Sequence, residues 1–291
     1  MNLFVFGLGY AAQALIARED FPWTSVAGTV RDAEKADRLR AEGIDALVFD
    51  DVRAVTASLR SADAILVSTP PSTGQDPAFA AYAPIVAATA ANASWLGYLS
   101  TTGVYGDHKG AWVDETAPAE PRSERSARRV AAEQSWLAWG EAAGPAVAIF
   151  RLSGIYGPGR NAFVSLARGT AQRIVKEGQV SNRIHVDDIA TVLAASMRRP
   201  RRGAIYNVSD CEPAPPQDII AYAAERAGIP VPPAIAFADA VLSPMSQSFY
   251  AENKRISNRL ILSELNVRLR YPTYREGLDA LFAEGAADQA R

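Results

Sequence analysis

An α/β fold is predicted for this 291-residue sequence: a doubly wound parallel sheet of the Rossmann kind, with a smaller C-terminal substrate lobe. Three observations carry the prediction. Short apolar runs bounded by Gly, Pro, Asp or Ser recur along the chain, as buried parallel strands do. Alanine-rich segments of helical length separate them. The first run passes directly into a G-x-G-x-x-A pattern, where a strand should give way to a helix.

The elements follow in order. "LFVFG" is the first strand, then "SVAGTVR" (Ser25 to Arg31), "IDALVFDD" (Ile44 to Asp51) and "ADAILVSTPP" (Ala62 to Pro71). "WLGYLSTTG" (Trp95 to Gly103), "AVAIFRLSG" (Ala146 to Gly154) and "GAIYNVSD" (Gly203 to Asp210) complete the set. Ala11 to Glu19 and Pro77 to Ala93 have the length and composition of helices. From about Gly159 the alternation loosens. Prolines cluster at Pro213, Pro215 and Pro216, and again at Pro230, Pro232 and Pro233, before "YREGLDALFAEG" reads as a terminal helix. The expected division is a nucleotide-binding domain over residues 1–158 and a lobe over 159–291. The two interleave, because the strand near 203–210 is expected to return to the main sheet. The final "AADQAR" is expected to fray.

Composition excludes several classes. A net charge of −2 gives no electrostatic reason for nucleic acid or an anionic membrane as partner. The single cysteine, Cys211, forms no internal disulfide, which fits a reducing compartment. Two histidines and one cysteine cannot build a His/Cys-rich metal site, so no metal is expected. No stretch approaches the roughly 20 apolar residues that cross a bilayer. The run "LFVF" lacks a basic flank and meets Gly7 at once, unlike a signal peptide. A cytoplasmic protein is expected.

The glycine pattern "GLGYAA" spans Gly7, Gly9, Tyr10 and Ala12. Gly7 permits the tight turn, Gly9 admits a pyrophosphate close to the backbone, and Ala12 lets the helix lie near the strand. The unpaired N–H groups of the helix start favour the phosphates. The second strand ends in Arg31 and Asp32. A guanidinium suits the 2′-phosphate of NADP, whereas a neighbouring register would offer the Asp32 carboxylate to NAD. NADP is the expected cofactor, with NAD left open. Asp51 is expected at the adenine edge, and Ser68, Thr69 and Pro70 along the cofactor path.

The chain resembles the extended short-chain dehydrogenase/reductases, the NAD(P)-dependent epimerase/dehydratase group. "GLGYAA", "LSTTGVYGDHKGAWVDETAP", "FRLSGIYGPGR", "RIHVDDIA" and "GAIYNVSD" carry the resemblance, in the family's order. It implies hydride exchange at a nicotinamide, often on nucleotide sugars. It also implies that Thr101 hydrogen-bonds a substrate oxygen. Thr102 and Gly103 stand where the family's dehydratases carry Asp-Glu, so sugar dehydration is not expected. Counting back from Glu133 puts Arg129 in the place of the family's catalytic Lys and Arg125 in that of its Tyr. No tyrosine lies between Tyr105 and Tyr156, so this resembles an atypical member without Tyr-x-x-x-Lys.

Arg129 can supply the donors and charge of the missing lysine. A guanidinium with a pKa above about 12 cannot replace the tyrosine as a proton donor near neutrality. Tyr105 is the nearest phenol and the candidate substitute acid. Arg125, Arg160, Arg183 and His185 are candidate contacts for a small-molecule substrate. For Arg183 a structural ion pair with Asp187 or Asp188 is the competing reading. His108 reads as a solvated loop residue. Two functions follow. One is an NAD(P)-dependent oxidoreductase or epimerase-like enzyme with a non-standard acid, acting on a small carbonyl or nucleotide-sugar-like substrate. The other is a catalytically inactive NADP-binding sensor or scaffold. A homodimer is compatible with either.

Overall fold

The computed structural model describes residues 1–72 and 74–286. Of the segment expected to fray, residues 287–291 lie outside the described residues. The first half alternates strictly: β1 (Asn2–Phe6), α1 (Tyr10–Ile16), β2 (Ser25–Val30), α2 (Ala33–Ala41), β3 (Asp45–Val48), α3 (Val52–Leu59), β4 (Ala64–Val67), α4 (Pro77–Thr89) and β5 (Trp95–Thr101). A 3-10 turn (Thr102–Tyr105), β6 (Trp112–Val113), α5 (Glu124–Ala143) and β7 (Ala146–Leu152) follow. The second half contains β8 (Gly154–Tyr156), α6 (Ala162–Ala167), β9 (Arg173–Val175), β10 (Arg183–His185), α7 (Val186–Arg198) and β11 (Ala204–Val208). It ends with α8 (Pro216–Arg226), β12 (Ala234–Ala236), α9 (Pro244–Tyr250), β13 (Arg255–Ile256), α10 (Arg259–Ser263) and α11 (Tyr274–Leu281).

Seven strands form one parallel sheet in the order β11-β7-β5-β4-β1-β2-β3. The order reverses at β1, which pairs with both β2 and β4, and this opens a crevice at the carboxyl ends. Both faces are covered, so the strands read as continuous apolar runs. In β4, Ala64 and Leu66 face one core, with α1 and α7, while Ile65 and Val67 face the other, with α4 and α5. The lobe has its own core, in which Tyr156 and Phe163 pack with Ile219, Ala223, Tyr274 and Leu278 from α8 and α11.

A charged contact crosses the core. Glu133 of α5 and Arg151 of β7 are 2% and 5% exposed and form an ion pair at 2.7 Å. Ser100 of β5 donates to the same carboxylate. The Arg151 guanidinium lies 4.7 Å over the Tyr105 ring. The Tyr105 hydroxyl donates to Asn207 Oδ1 at 2.8 Å, and the Asn207 amide donates to Glu115 at 2.8 Å. Removing one member strands a buried charge, whereas replacing both restores an apolar contact. Arg151→Leu is therefore expected to lose about 3–5 kcal/mol of stability. The double variant Glu133→Leu/Arg151→Leu should recover much of that loss. Denaturant melts of the two variants check this.

Candidate active site

The turn after β1 is built around two glycines. Gly7 sits at φ +92°, in the left-handed region that a side chain disfavours, and a Cβ there would come within 3.1 Å of Thr69 Cγ2. Its amide donates to Thr29 Oγ1 at 3.0 Å, and the Leu8 amide donates to the Thr29 carbonyl at 2.9 Å. The loop is thus tied to the end of β2. A Cβ on Gly9 would meet nothing nearer than Ser68 Oγ at 3.7 Å, so the open side of Gly9 faces space. That space fits a pyrophosphate. No side chain caps α1 and no acid stands in its first turn, so nothing there repels an anion. Ala12 is fully buried beneath the loop and carries the close packing of α1.

A cavity of about 590 Å³ runs from this loop along β2. Gly7, Gly9, Arg31, Ser68, Thr69 and Pro70 line it. Asp32 also lines it, but its carboxylate caps α2 by accepting from the Lys35 amide at 2.8 Å. Lys35 belongs to the same wall, and its Nζ donates to the Leu8 carbonyl at 3.0 Å. Sequence reasoning missed Lys35. Its place in the first turn of α2, directly after the Arg31-Asp32 corner, is the signal that could have found it. The structure does not bring Asp51 to this wall. Its carboxylate accepts from the Ala54 amide at 3.0 Å and caps α3, while Phe49 and Asp50 reach the cavity instead.

A second cavity of about 840 Å³ adjoins the first at Gly9 and Ser68. It gathers Tyr10, Thr101, Arg125, Arg129, Arg160 and Arg183 on one surface. Thr101 ends β5, and its hydroxyl accepts from the Gly103 amide at 3.1 Å. Arg125 and Arg129 lie one turn apart on α5. Arg129 donates to Tyr98 Oη at 3.0 Å and to the Leu99 carbonyl at 2.7 Å, which holds it beside the end of β5. Burial raises the Tyr98 phenol pKa well above its usual range, so that group stays neutral. Tyr10 donates to the Pro158 carbonyl at 2.9 Å and ties the glycine loop to the lobe.

Two candidates lie away from this wall. Tyr105 is fully buried, with its hydroxyl committed to Asn207 and its ring under Arg151, and it lines neither cavity. Burial pushes its pKa up. It is a strut of the polar network, closed off from substrate. His185 is buried between Tyr156 and Tyr271, and Nδ1 accepts from the Asp187 amide at 3.2 Å as the cap of α7. Desolvation lowers its pKa to about 4, so the ring is neutral and structural. His108, expected to be solvated, is half-buried, with Nε2 3.1 Å from the Tyr105 carbonyl.

Arg183 makes no ion pair with Asp187 or Asp188. Asp188 accepts from the amides of Arg270 and Tyr271 at 2.7 and 3.0 Å, and Asp187 lies 3.8 Å from Arg270. Lys254 and Glu252 also reach the second cavity, paired at 2.6 Å, from a strap that no local spacing announces. The Lys254 ammonium additionally donates to the Gly106 carbonyl at 2.6 Å.

The parallel sheet, the glycine turn and the paired cavities define a dinucleotide-binding protein of the Rossmann class. The chain belongs to the NAD dependent epimerase/dehydratase family, whose profile matches residues 32–209. It is 50% identical to a functionally unknown conserved protein from Silicibacter pomeroyi DSS, whose structure superposes with a TM-score of 0.88 over 98% of this chain and 99% of that one. It is 28% identical to the protein YeeZ of Escherichia coli K12, over 75% of this chain and 80% of that protein. The human epimerase family protein SDR39U1, solved with NADPH, shares the fold at a TM-score of 0.73 and 16% identity, over 96% of this chain and 98% of that one.

Two outcomes test the site. Gly9→Asp is expected to abolish NADPH binding in calorimetry while the melting temperature holds. The new Cβ has room, but the carboxylate fills and repels the pyrophosphate position. Tyr105→Phe should lower stability by about 1–3 kcal/mol, because Asn207 loses its donor. It should leave any turnover intact, measured as NADPH oxidation.

Proposed function

We propose that this chain is an NADP-dependent oxidoreductase or epimerase-like enzyme acting on a carbonyl or nucleotide-sugar-like substrate without a tyrosine acid. The observation that carries the reading is the meeting of two cavities at Gly9 and Ser68. One lies on the glycine loop, and the other holds Thr101 with Arg125 and Arg129. When bound, the nicotinamide supplies or accepts a hydride. The chain's own residues do the rest.

Gly7 and Gly9 hold the backbone open for the pyrophosphate. Arg31 and Lys35 stand together at the ribose end, and the Asp32 carboxylate is drawn back to cap α2. That balance favours a 2′-phosphate. Thr101 offers its hydroxyl to the substrate oxygen. Arg129, fixed by the Leu99 carbonyl, offers its remaining donors to the cofactor ribose. Arg125 offers a fixed charge rather than a transferable proton, and that charge stabilises negative charge developing on the substrate oxygen. Water in the open cavity then supplies the proton.

A binding-only module is the second reading, favoured by the absence of a phenol on the α5 face. Two experiments separate the cases. Arg31→Ala should weaken NADPH binding and leave NADH nearly unaffected in parallel titrations. Equal losses, or tighter native binding of NADH, would refute the NADP assignment. Arg125→Tyr with Arg129→Lys should gain slow reductase activity toward small carbonyls with NADPH. If neither the native chain nor this double variant turns over any carbonyl or nucleotide sugar, the binding module is the correct reading.

A further inference from the structure

The connection that carries Ser68, Thr69 and Pro70 along the first cavity ends at Asp76, the cap of α4. Asp76 Oδ1 accepts from the Phe79 amide at 2.9 Å. A cap needs no more than that, and Ser or Asn would supply it without a charge. Yet Asp76 is 2% exposed, and its Oδ2 has no partner in hydrogen-bond geometry. The Trp136 indole N–H acts on it from outside that geometry and has no other acceptor. A buried carboxylate in this state is costly unless a nearby positive charge answers it. Desolvation pushes the Asp76 carboxyl up, and the Phe79 amide and the Arg129 charge oppose that rise.

Asp76 and Arg129 meet through Tyr98. Among the described residues no carboxylate lies within ion-pair distance of the Arg129 guanidinium. Its Nη1 donates instead to Tyr98 Oη and to the Leu99 carbonyl, and its Cζ stands 5.6 Å from the centre of the Tyr98 ring. A phenol that accepts from a guanidinium still has its own hydrogen to donate. Two carboxylates act on Tyr98, Asp76 more strongly than Glu133. Glu133 is already paired with Arg151 at 2.7 Å. Asp76 is therefore the carboxylate left to orient the Tyr98 hydroxyl, with its oxygen toward Arg129.

We propose that Asp76 is a positioning residue for the cofactor. Acting through Tyr98, its carboxylate holds the Arg129 guanidinium at the end of β5, where the remaining donors of Arg129 meet the nicotinamide ribose. This rests on the cofactor-dependent reading above and deepens it, since it names the groups that aim Arg129. A long, flexible arginine side chain loses affinity for every orientation it must give up on binding, and a preset one does not. The loop on the cofactor path and the ribose-holding side chain are thereby tied together from behind the sheet edge.

The test compares two ligands by calorimetry: NADP⁺, and adenosine 2′,5′-bisphosphate, which lacks the nicotinamide ribose. The native protein is titrated first. Absence of NADP⁺ binding there refutes the cofactor reading itself and this inference with it. Asp76→Asn keeps an oxygen for the Phe79 amide, so α4 stays capped. It should weaken NADP⁺ on the order of tenfold and leave the bisphosphate unchanged. Tyr98→Phe should show the same selective loss. The double variant should lose no more than either single one, because the two groups act in series. Should Asp76→Asn fail to fold, Tyr98→Phe carries the comparison between the two ligands. A purely structural role would lower the melting temperature or weaken both ligands alike. The proposal is wrong if a folded variant keeps native NADP⁺ affinity, if both ligands weaken equally, or if the two single losses add.

Discussion

The buried pair between Glu133 and Arg151 organises the site. It fastens α5 to β7, and Ser100 adds β5 to the same carboxylate. Because Glu133 must point into the sheet, the α5 side chains one and two turns earlier are oriented with it. Arg129 is brought to the end of β5, and Arg125 to the cavity that Thr101 lines. The same guanidinium covers Tyr105, which in turn holds Asn207 of β11. An ion pair this deep contributes little net stability beyond an apolar contact of similar volume. Its effect is positional: one helix rotation sets which groups meet the substrate.

The second constraint is the reversal of strand order at β1. It leaves the carboxyl ends of β1 and β4 uncrossed by a connection, and the glycine turn fills the gap with backbone. The lobe closes the other side. Tyr10 reaches the Pro158 carbonyl, and the strap through Asn253 is held from both sides: its side chain bonds Val180 and Gly178, and its amide bonds Asp107. The substrate cavity is thus made by two halves of the chain, and its positive charge comes from both: Arg125 and Arg129 from the sheet side, Arg160, Arg183 and Lys254 from the lobe.

The local rules of backbone and burial were readable in the sequence alone. Parallel strands covered on both faces are largely apolar, so β1, β4 and β7 announce themselves as short runs, β7 with Arg151 set in its run. Gly7 is legible because only glycine tolerates its positive φ beside Thr69, and Gly9 because a phosphate path needs an open side. The absence of a tyrosine from α5 is also a sequence fact. What only the tertiary structure decided is which polar side chains remain available. On paper Tyr105 looks like a proton carrier and His185 like a substrate contact, but one is spent on Asn207 and the other on capping α7. Asp51 caps α3, while its neighbour Asp50 reaches the wall. Lys35 and Lys254 join the site through a helix turn and a distant strap. The reason is physical: backbone preference acts within a few residues, whereas the partner that occupies or frees a polar atom comes from wherever the fold brings it.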